Sequence, residues 1–238
     1  MNKIVCLWSC PRNISTALMY SFAQRKDTLV FDEPLYAHYL KKSGARHPGR
    51  EEVLSALENN GNEVVKKIIL QRSKKLLFHK LMTHFLIDIN LNFLSDVINI
   101  IFIRNPKNII YSYSKIIPNV NINDIGVKQQ YDLYFTFKER GINPIILDAK
   151  YLLENPKMIL KRLCKALEIS FDINMLKWKK GGRIEDGIWA KYWYEDVHSS
   201  TGFITSPSKE IKLNKYYVKL AQECLPYYEF LTIRSIKL

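Results

Sequence analysis

Cys6-Leu7-Trp8-Ser9-Cys10-Pro11-Arg12-Asn13-Ile14-Ser15-Thr16-Ala17-Leu18 is the stretch whose reading decides the fold. It reads as a short buried strand, a tight polar loop and the start of a helix. A cation, Arg12, and two hydroxyls, Ser15 and Thr16, fall where the loop turns into the helix. Helix N-termini present unpaired N–H groups and the positive end of the helix dipole, so an anionic group settles there. The stretch therefore has the anatomy of a phosphate-binding loop. It is not a Walker A loop, because it holds no glycine and has arginine where Lys-Ser/Thr would stand. That departure points away from ordinary ATPases.

Outward from this loop, apolar β-rich runs alternate with helical patterns. Ile4–Trp8 is the first predicted strand and Thr28–Phe31 the second, ending in Asp32-Glu33-Pro34. Leu76–His79, the strongly apolar Val97–Ile103 and Pro144–Leu147 follow as strands. Helices are expected over Ile14–Gln24, Tyr36–Lys42, Glu51–Leu57, Glu63–Ser73, Val127–Arg140, Lys157–Leu167 and Lys215–Cys224. Asn105-Pro106 reads as an N-cap followed by proline at the first helical position, opening a helix through Ile117. This alternation predicts an α/β fold: a mostly parallel central sheet flanked by helices on both faces, three layers of the P-loop type. The length, 238 residues, fits one domain over 1–238.

Charge and cysteine usage narrow the class. The net charge of +13 suits an anionic partner. The lysines are scattered in pairs such as Lys41-Lys42 and Lys179-Lys180 rather than gathered in a stripe, so no nucleic-acid partner is expected. No apolar run is long enough to cross a bilayer. The start of the chain lacks a secretory pattern, and the four cysteines show no CxxC or metal-ligand spacing. A cytoplasmic protein with reduced thiols is the expectation. Cys10 lies in the anion loop, where a thiol pKa can be lowered; packing is the preferred reading.

In doubly wound sheets, ligands bind beyond the carboxyl ends of the strands. The residues there are Arg12, Ser15 and Thr16; then Asp32 and Glu33; then His79, Lys80, Thr83 and His84; then Arg104, with Ser112 about two turns into the next helix. Cations, hydroxyls and acid–base groups thus collect along one edge.

Three motifs carry a resemblance to the sulfotransferases that use 3′-phosphoadenosine 5′-phosphosulfate (PAPS). Ser9-Cys10-Pro11-Arg12-Asn13-Ile14-Ser15-Thr16 resembles the family's 5′-phosphosulfate loop. Ile101-Phe102-Ile103-Arg104-Asn105-Pro106, with Ser112 following, is similar to its 3′-phosphate motif. Phe31-Asp32-Glu33-Pro34 resembles the acidic strand end of carbohydrate and bacterial members, and with Tyr36-Ala37-His38-Tyr39 it resembles a compact bacterial subgroup. The resemblance implies a sulfuryl transfer from PAPS, leaving 3′,5′-ADP, to a hydroxyl or amine of a small acceptor, with no metal expected. It implies donor binding by Pro11, Arg12, Asn13, Ile14, Ser15, Thr16, Arg104 and Ser112, and a looser match places Gly181 and Gly182 over the nucleotide. It also implies a general base: Glu33 first, His84 second, His79 third. A capping acid is the competing reading of Glu33, and packing that of the histidines. Arg12 departs from the family's usual lysine; arginine stabilises charge on a leaving phosphate but does not readily give up a proton.

Two other classes fit the residues. A P-loop kinase or NTPase with an atypical loop would require Mg²⁺. A non-catalytic nucleotide- or nucleic-acid-binding protein would bind with strong salt dependence and no preference for a 3′-phosphate. A fold that binds the nucleotide but performs different chemistry is a further reading, kept open by Arg12.

Overall fold

The computed structural model describes residues 3–117, 119–203 and 211–237. Five strands, β1 (Ile4–Ser9), β2 (Thr28–Asp32), β3 (Leu76–Met82), β4 (Ile98–Ile103) and β5 (Ile145–Asp148), pair in parallel in the order β2-β3-β1-β4-β5. The chain begins in the middle of the sheet and winds outward both ways, which puts the topological switch beside β1. The α/β expectation from the alternating pattern matches this architecture.

Alternation along each strand divides the core in two. Val5 and Leu7 of β1, Val30 of β2, Phe78 of β3 and Phe102 of β4 face α1 (Ser15–Ala23) and, further on, two helices that follow β5. Those are α8 (Ala149–Glu154) and α9 (Pro156–Ala166), numbered in chain order. Cys6, Trp8, Leu81, Ile101 and Ile103 face the opposite layer. That layer holds α2 (Tyr36–Ser43), α3 (Arg50–Ala56), α4 (Gly61–Val64), α5 (Pro106–Tyr113), α6 (Ile122–Ile125), α7 (Val127–Glu139) and α12 (Lys215–Thr232). Two short helices, α10 (Ala190–Trp193) and α11 (Glu195–His198), lie in the carboxyl-terminal third. Both faces of the sheet are covered, as parallel strands with continuous apolar runs require.

Several boundaries differ from the sequence pattern. β3 runs past His79 to Met82, because it lies between β1 and β2 and both extend its ladder: Ser9 pairs with Met82 and Asp32 with Lys80. Lys80 is therefore inside a strand, not after one. The segment expected as one helix over 63–73 is α4, capped by Asn60, followed by a π-helical turn at Val65–Ile69. The helix opened by Asn105 and Pro106 forms with the expected cap, Asn105 accepting from the Lys107 N–H at 2.9 Å, but ends at Tyr113. The last helix continues to Thr232, through Pro226. Its end is fastened to the sheet by the buried Asp148, which accepts from Tyr228 at 2.7 Å and Thr232 at 2.6 Å. A tertiary clamp, not a local signal, sets that length. The short helix α8, unread in the sequence, starts on the same residue: Asp148 caps it through the Lys150 N–H at 2.8 Å.

Candidate functional site

The loop after β1 makes without glycine the backbone that glycine usually supplies. Arg12 and Ile14 both take left-handed conformations, with φ of 57° and 58°. For a β-branched residue such as Ile14 this is costly, and such strain persists only where the surroundings over-determine it. Asn13 supplies one restraint: it is buried, and its Nδ2 donates to the Phe102 carbonyl of β4. Ile14 is then the N-cap of α1 and offers no side-chain cap, so no side chain of the cap residue engages the first-turn amides. Ser15, buried, and Thr16, half-buried, open the helix. Pro11, Asn13, Ile14, Ser15 and Thr16 therefore lie on one turn of backbone at a helix N-terminus that suits an anion.

Two guanidinium groups stand over this turn. Arg12 donates from Nε to Ser112 Oγ at 2.8 Å, from Nη1 to the Trp193 carbonyl at 3.0 Å and from Nη2 to Asp196 at 2.8 Å. Arg104, at the end of β4, donates to the Arg12 carbonyl at 2.5 Å. Burial, with Arg12 close by, holds its guanidinium below the usual range. Arg12, Arg104 and Ser112, named from two motifs about a hundred residues apart, are thus in contact.

A second cluster lies at the ends of β2 and β3. Lys80 is 1% exposed, and its Nζ donates to Asp32 Oδ1 at 2.8 Å, Glu33 Oε1 at 2.5 Å and Tyr194 Oη at 2.6 Å. Asp32 and Lys80 are register partners on adjacent strands, so their side chains emerge on the same face. Glu33 extends the ladder through its N–H to the Lys80 carbonyl at 2.8 Å and then turns at a φ of 42°. Burial raises the Glu33 pKa and Asp32 adds to it, against Lys80. Burial works against the Lys80 charge, but the two carboxylates outweigh it and keep it protonated. Tyr194 donates to Asp32 at 2.8 Å and accepts from Trp189 Nε1 at 3.2 Å, and the Gly187 N–H donates to Asp32 Oδ2 at 2.9 Å. A Cβ at Gly187 would stand 2.1 Å from the Trp189 ring, so only glycine lets the backbone come this close.

The histidines are placed elsewhere. His84, in the single 3₁₀ turn Thr83–Phe85 after β3, packs edge-on against Tyr39 and Phe85 at 4.8 Å. Burial and the neighbouring His47 push its pKa down to about 3. His79 lies on the opposite face of β3 from Lys80, stacked on Phe31 at 4.7 Å, with neither ring nitrogen hydrogen-bonded. Burial pushes it, too, down to about 3. Imidazoles of such low basicity are poor proton acceptors near neutral pH. Cys10 is fully buried and its thiol is pushed up to about 12 by burial, which makes it a packing group rather than a nucleophile.

Gly181 and Gly182 sit over α1. The Gly181 N–H donates to the His198 carbonyl at 2.8 Å. The loop is anchored at Asp186, which accepts from Tyr20 at 2.7 Å and the Arg183 N–H at 2.9 Å and pairs with His198 at 3.0 Å. Among the described residues no hydrogen bond joins either glycine to Arg104 or Ser112. The carboxyl-terminal stretch instead reaches the site through Gly187, Trp189, Trp193, Tyr194 and Asp196. The sequence pattern puts Asp32 and Lys80 on the ligand edge without giving either a role, and carries no signal for Gly187. One signal was present: a lysine in the middle of the apolar run Leu76-Leu77-Phe78-His79-Lys80-Leu81-Met82 has to find a buried partner.

Among the described residues no group of three or more His, Cys, Asp or Glu side chains is arranged to hold a metal ion, and no helix is long and apolar enough to cross a membrane.

Residues 2–235 match the family model described as a sulfotransferase domain. Two relatives from Arabidopsis thaliana, named branched-chain-amino-acid aminotransferase-like protein 2 and protein 1, are 40% identical over 233 residues and 42% identical over 234. Each match takes 96% of this chain but 41% of the relative, so the chain spans about two fifths of their length. Among solved structures, a sulfotransferase from Alicyclobacillus acidocaldarius is similar over 99% of this chain and 98% of its own, with a TM-score of 0.60 at 10% identity. The sulfotransferase domain from the curacin biosynthetic pathway is similar over 100% and 99%, with a TM-score of 0.58 at 15% identity. At these identities the two structures speak to the fold.

Proposed function

The chain belongs to the sulfotransferase domain family, and from that premise we propose that it transfers a sulfuryl group from PAPS to a hydroxyl or amine of a small acceptor. The observation that carries this reading is the meeting of Arg12, Arg104 and Ser112 over the α1 N-terminus, linked to the acid–base cluster by Arg12's bonds to Trp193 and Asp196, which flank Tyr194. PAPS presents a 5′-phosphosulfate and a separate 3′-phosphate, so it needs two anion sites. The α1 amides with Arg12, Ser15 and Thr16 suit the first. Arg104 and Ser112 suit the second, since arginine grips phosphate bidentately.

The donor brings the activated sulfuryl group; the chain positions it and stabilises charge. Arg12, permanently cationic, offsets charge building on the bridging oxygen without supplying a proton. Glu33, whose basicity burial raises, takes the acceptor's proton. His84 and His79 are too weakly basic for that task. Tyr36 and Tyr113 lie near enough for the Glu33 charge to act on their phenols, and Trp189 packs edge-on against Tyr36 at 5.0 Å; these rings suit an acceptor with apolar surface. The same reading takes residues 1–238 as one domain. It also takes the protein as cytoplasmic, in keeping with four unpaired buried cysteines.

Calorimetric titration with 3′,5′-ADP and with 5′-ADP, at fixed salt and with or without Mg²⁺, tests the reading. Binding of 3′,5′-ADP about 100-fold tighter than 5′-ADP, independent of Mg²⁺ and lost in Arg104→Ala, is expected. Equal binding of the two nucleotides would sink the proposal and bring a kinase or a general nucleotide binder forward.

A further inference from the structure

We propose that Lys80 and Tyr194 are positioning residues that give two adjacent carboxylates different tasks: Asp32 is the fixed counter-charge, and Glu33 alone exchanges a proton, through Oε2. The proposal deepens the sulfotransferase reading and rests on it.

The donor count around each carboxylate makes the distinction. Asp32, with its side chain 1% exposed, receives Lys80 Nζ on Oδ1, the Gly187 N–H on Oδ2, and the Tyr194 hydroxyl at 2.8–2.9 Å from both oxygens. Every neighbour points a hydrogen at it. A proton on Asp32 would meet donors on all sides, so the site is built to accept hydrogen bonds on both oxygens.

Tyr194 has a single proton and no freedom in placing it. Its oxygen accepts from Lys80 at 2.6 Å and from Trp189 at 3.2 Å, which leaves the hydrogen for Asp32. Lys80 in turn spends its three hydrogens on Asp32, Glu33 and Tyr194.

Glu33 differs. One hydrogen bond reaches it, from Lys80 to Oε1, and among the described residues none reaches Oε2. The left-handed turn at Glu33, following its ladder bond to Lys80, sets the side chain off from the row in which Asp32 and Lys80 stand. The remaining titratable groups that face it are Tyr36 of α2 and Tyr113 of α5. Burial first, and the Glu33 charge with it, raise both phenols, so they stay neutral.

The charges balance through the step. With Lys80 positive and both carboxylates negative the cluster carries one net negative charge. As the acceptor's O–H (or N–H) bond breaks, its proton goes to Glu33 Oε2 and its electron pair forms the new bond to sulfur. The bond from sulfur to the nucleotide's bridging oxygen breaks with its pair on that oxygen. The cluster is then neutral, with Lys80 and Asp32 still paired. A buried cluster that moves from one net charge to none has less charge to desolvate as it works.

The test reads the carboxyls directly. Full-length protein carrying ¹³C at the Glu and Asp side-chain carboxyls is titrated by NMR, with Glu33 and Asp32 assigned by their loss in Glu33→Gln and Asp32→Asn. In the unaltered protein the Glu33 carboxyl is expected to titrate above the ordinary glutamate range. Lys80→Met should raise the Glu33 midpoint by about one pH unit or more, and Lys80→Arg should bring it back. Tyr194→Phe, which keeps the ring and removes the hydroxyl, should move the Asp32 carboxyl ¹³C resonance and leave that of Glu33 near its place; it stands in if Lys80→Met does not fold. A Glu33 midpoint within the ordinary glutamate range, or carboxyl signals that none of the folded variants move, would overturn the proposal. Absence of 3′,5′-ADP binding by the unaltered protein would instead count against the sulfotransferase reading, so the two failures are separable.

Discussion

The two halves of the candidate site are built in opposite ways. The half over α1 is made from contiguous stretches of chain, residues 9–16 and 103–112, and brings two half-buried guanidiniums to the backbone amides of a helix N-terminus. The half at β2 and β3 is made from residues far apart in sequence, Asp32, Glu33, Lys80 and Tyr194, and is buried. Among the described residues the first half meets a counter-charge only at its rim, where the exposed Asp196 pairs with Arg12; its other bonds, to Ser112 and to the Trp193 and Arg12 carbonyls, are to neutral groups. The second half is internally saturated but for one carboxylate oxygen. An anion-binding surface must leave its donors available to a ligand, whereas a proton-exchanging group must have its charge state set in advance. The difference in burial follows from that difference in task.

The largest effect expected from breaking this contrast is in the buried half. Asp32→Asn replaces one of the oxygens that accept from Lys80, Tyr194 and the Gly187 N–H with a donor, leaving a buried hydrogen unmatched, and should lower stability by about 3 kcal/mol, read from the denaturant midpoint. In the half over α1, by contrast, Arg12→Ala should leave the midpoint nearly unmoved. It should weaken 3′,5′-ADP by about 50-fold, or about 2.3 kcal/mol by calorimetry, and Arg12→Lys should recover part of that. A stability loss from Arg12→Ala as large as that from Asp32→Asn would erase the distinction between the halves.

Acid sharpens the comparison from below the sheet. His79 folds neutral with a pKa of about 3 against an ordinary value of 6.5. Its contribution to stability is therefore complete above about pH 6.5 and is lost as pH falls toward 3. At pH 5 that loss is about 2 kcal/mol, and His79→Leu should flatten this part of the stability–pH curve. Smallest of all is Asp196→Asn. An exposed ion pair contributes under about 1 kcal/mol, so removing the carboxylate that shares Arg12 should tighten 3′,5′-ADP by about two- to threefold at low salt, with the gain fading at high salt.

Legibility in the sequence follows the same division. The strand–loop–helix at 4–18 and the strand–Asn-Pro–helix at 98–113 carry their own local signals, an apolar run and a capping pair, so both anion-side motifs were readable. Their contact was readable only as an order of strands, since β1 and β4 are neighbours. Lys80 was misplaced at the end of a shorter strand, because strand length depends on which partners lie on each side. Tyr194 lies in a Trp- and Tyr-rich stretch that reads equally as a pocket lining or as core packing until folding brings its hydroxyl to Asp32 and Lys80.

The sequence by itself determined the α/β class, the parallel sheet, the loop that turns into a helix after Arg12 and the family to which the chain belongs. These rest on periodicity, caps and short motifs, which act within a few residues. Only the tertiary structure decided that Asp32 and Lys80 are register partners, that Glu33 keeps one oxygen free, that both candidate histidines are too buried to ionise, and that Tyr194 closes the cluster. Hydrogen-bond saturation and desolvation are properties of what surrounds a group from every direction, and no stretch of chain contains its own surroundings.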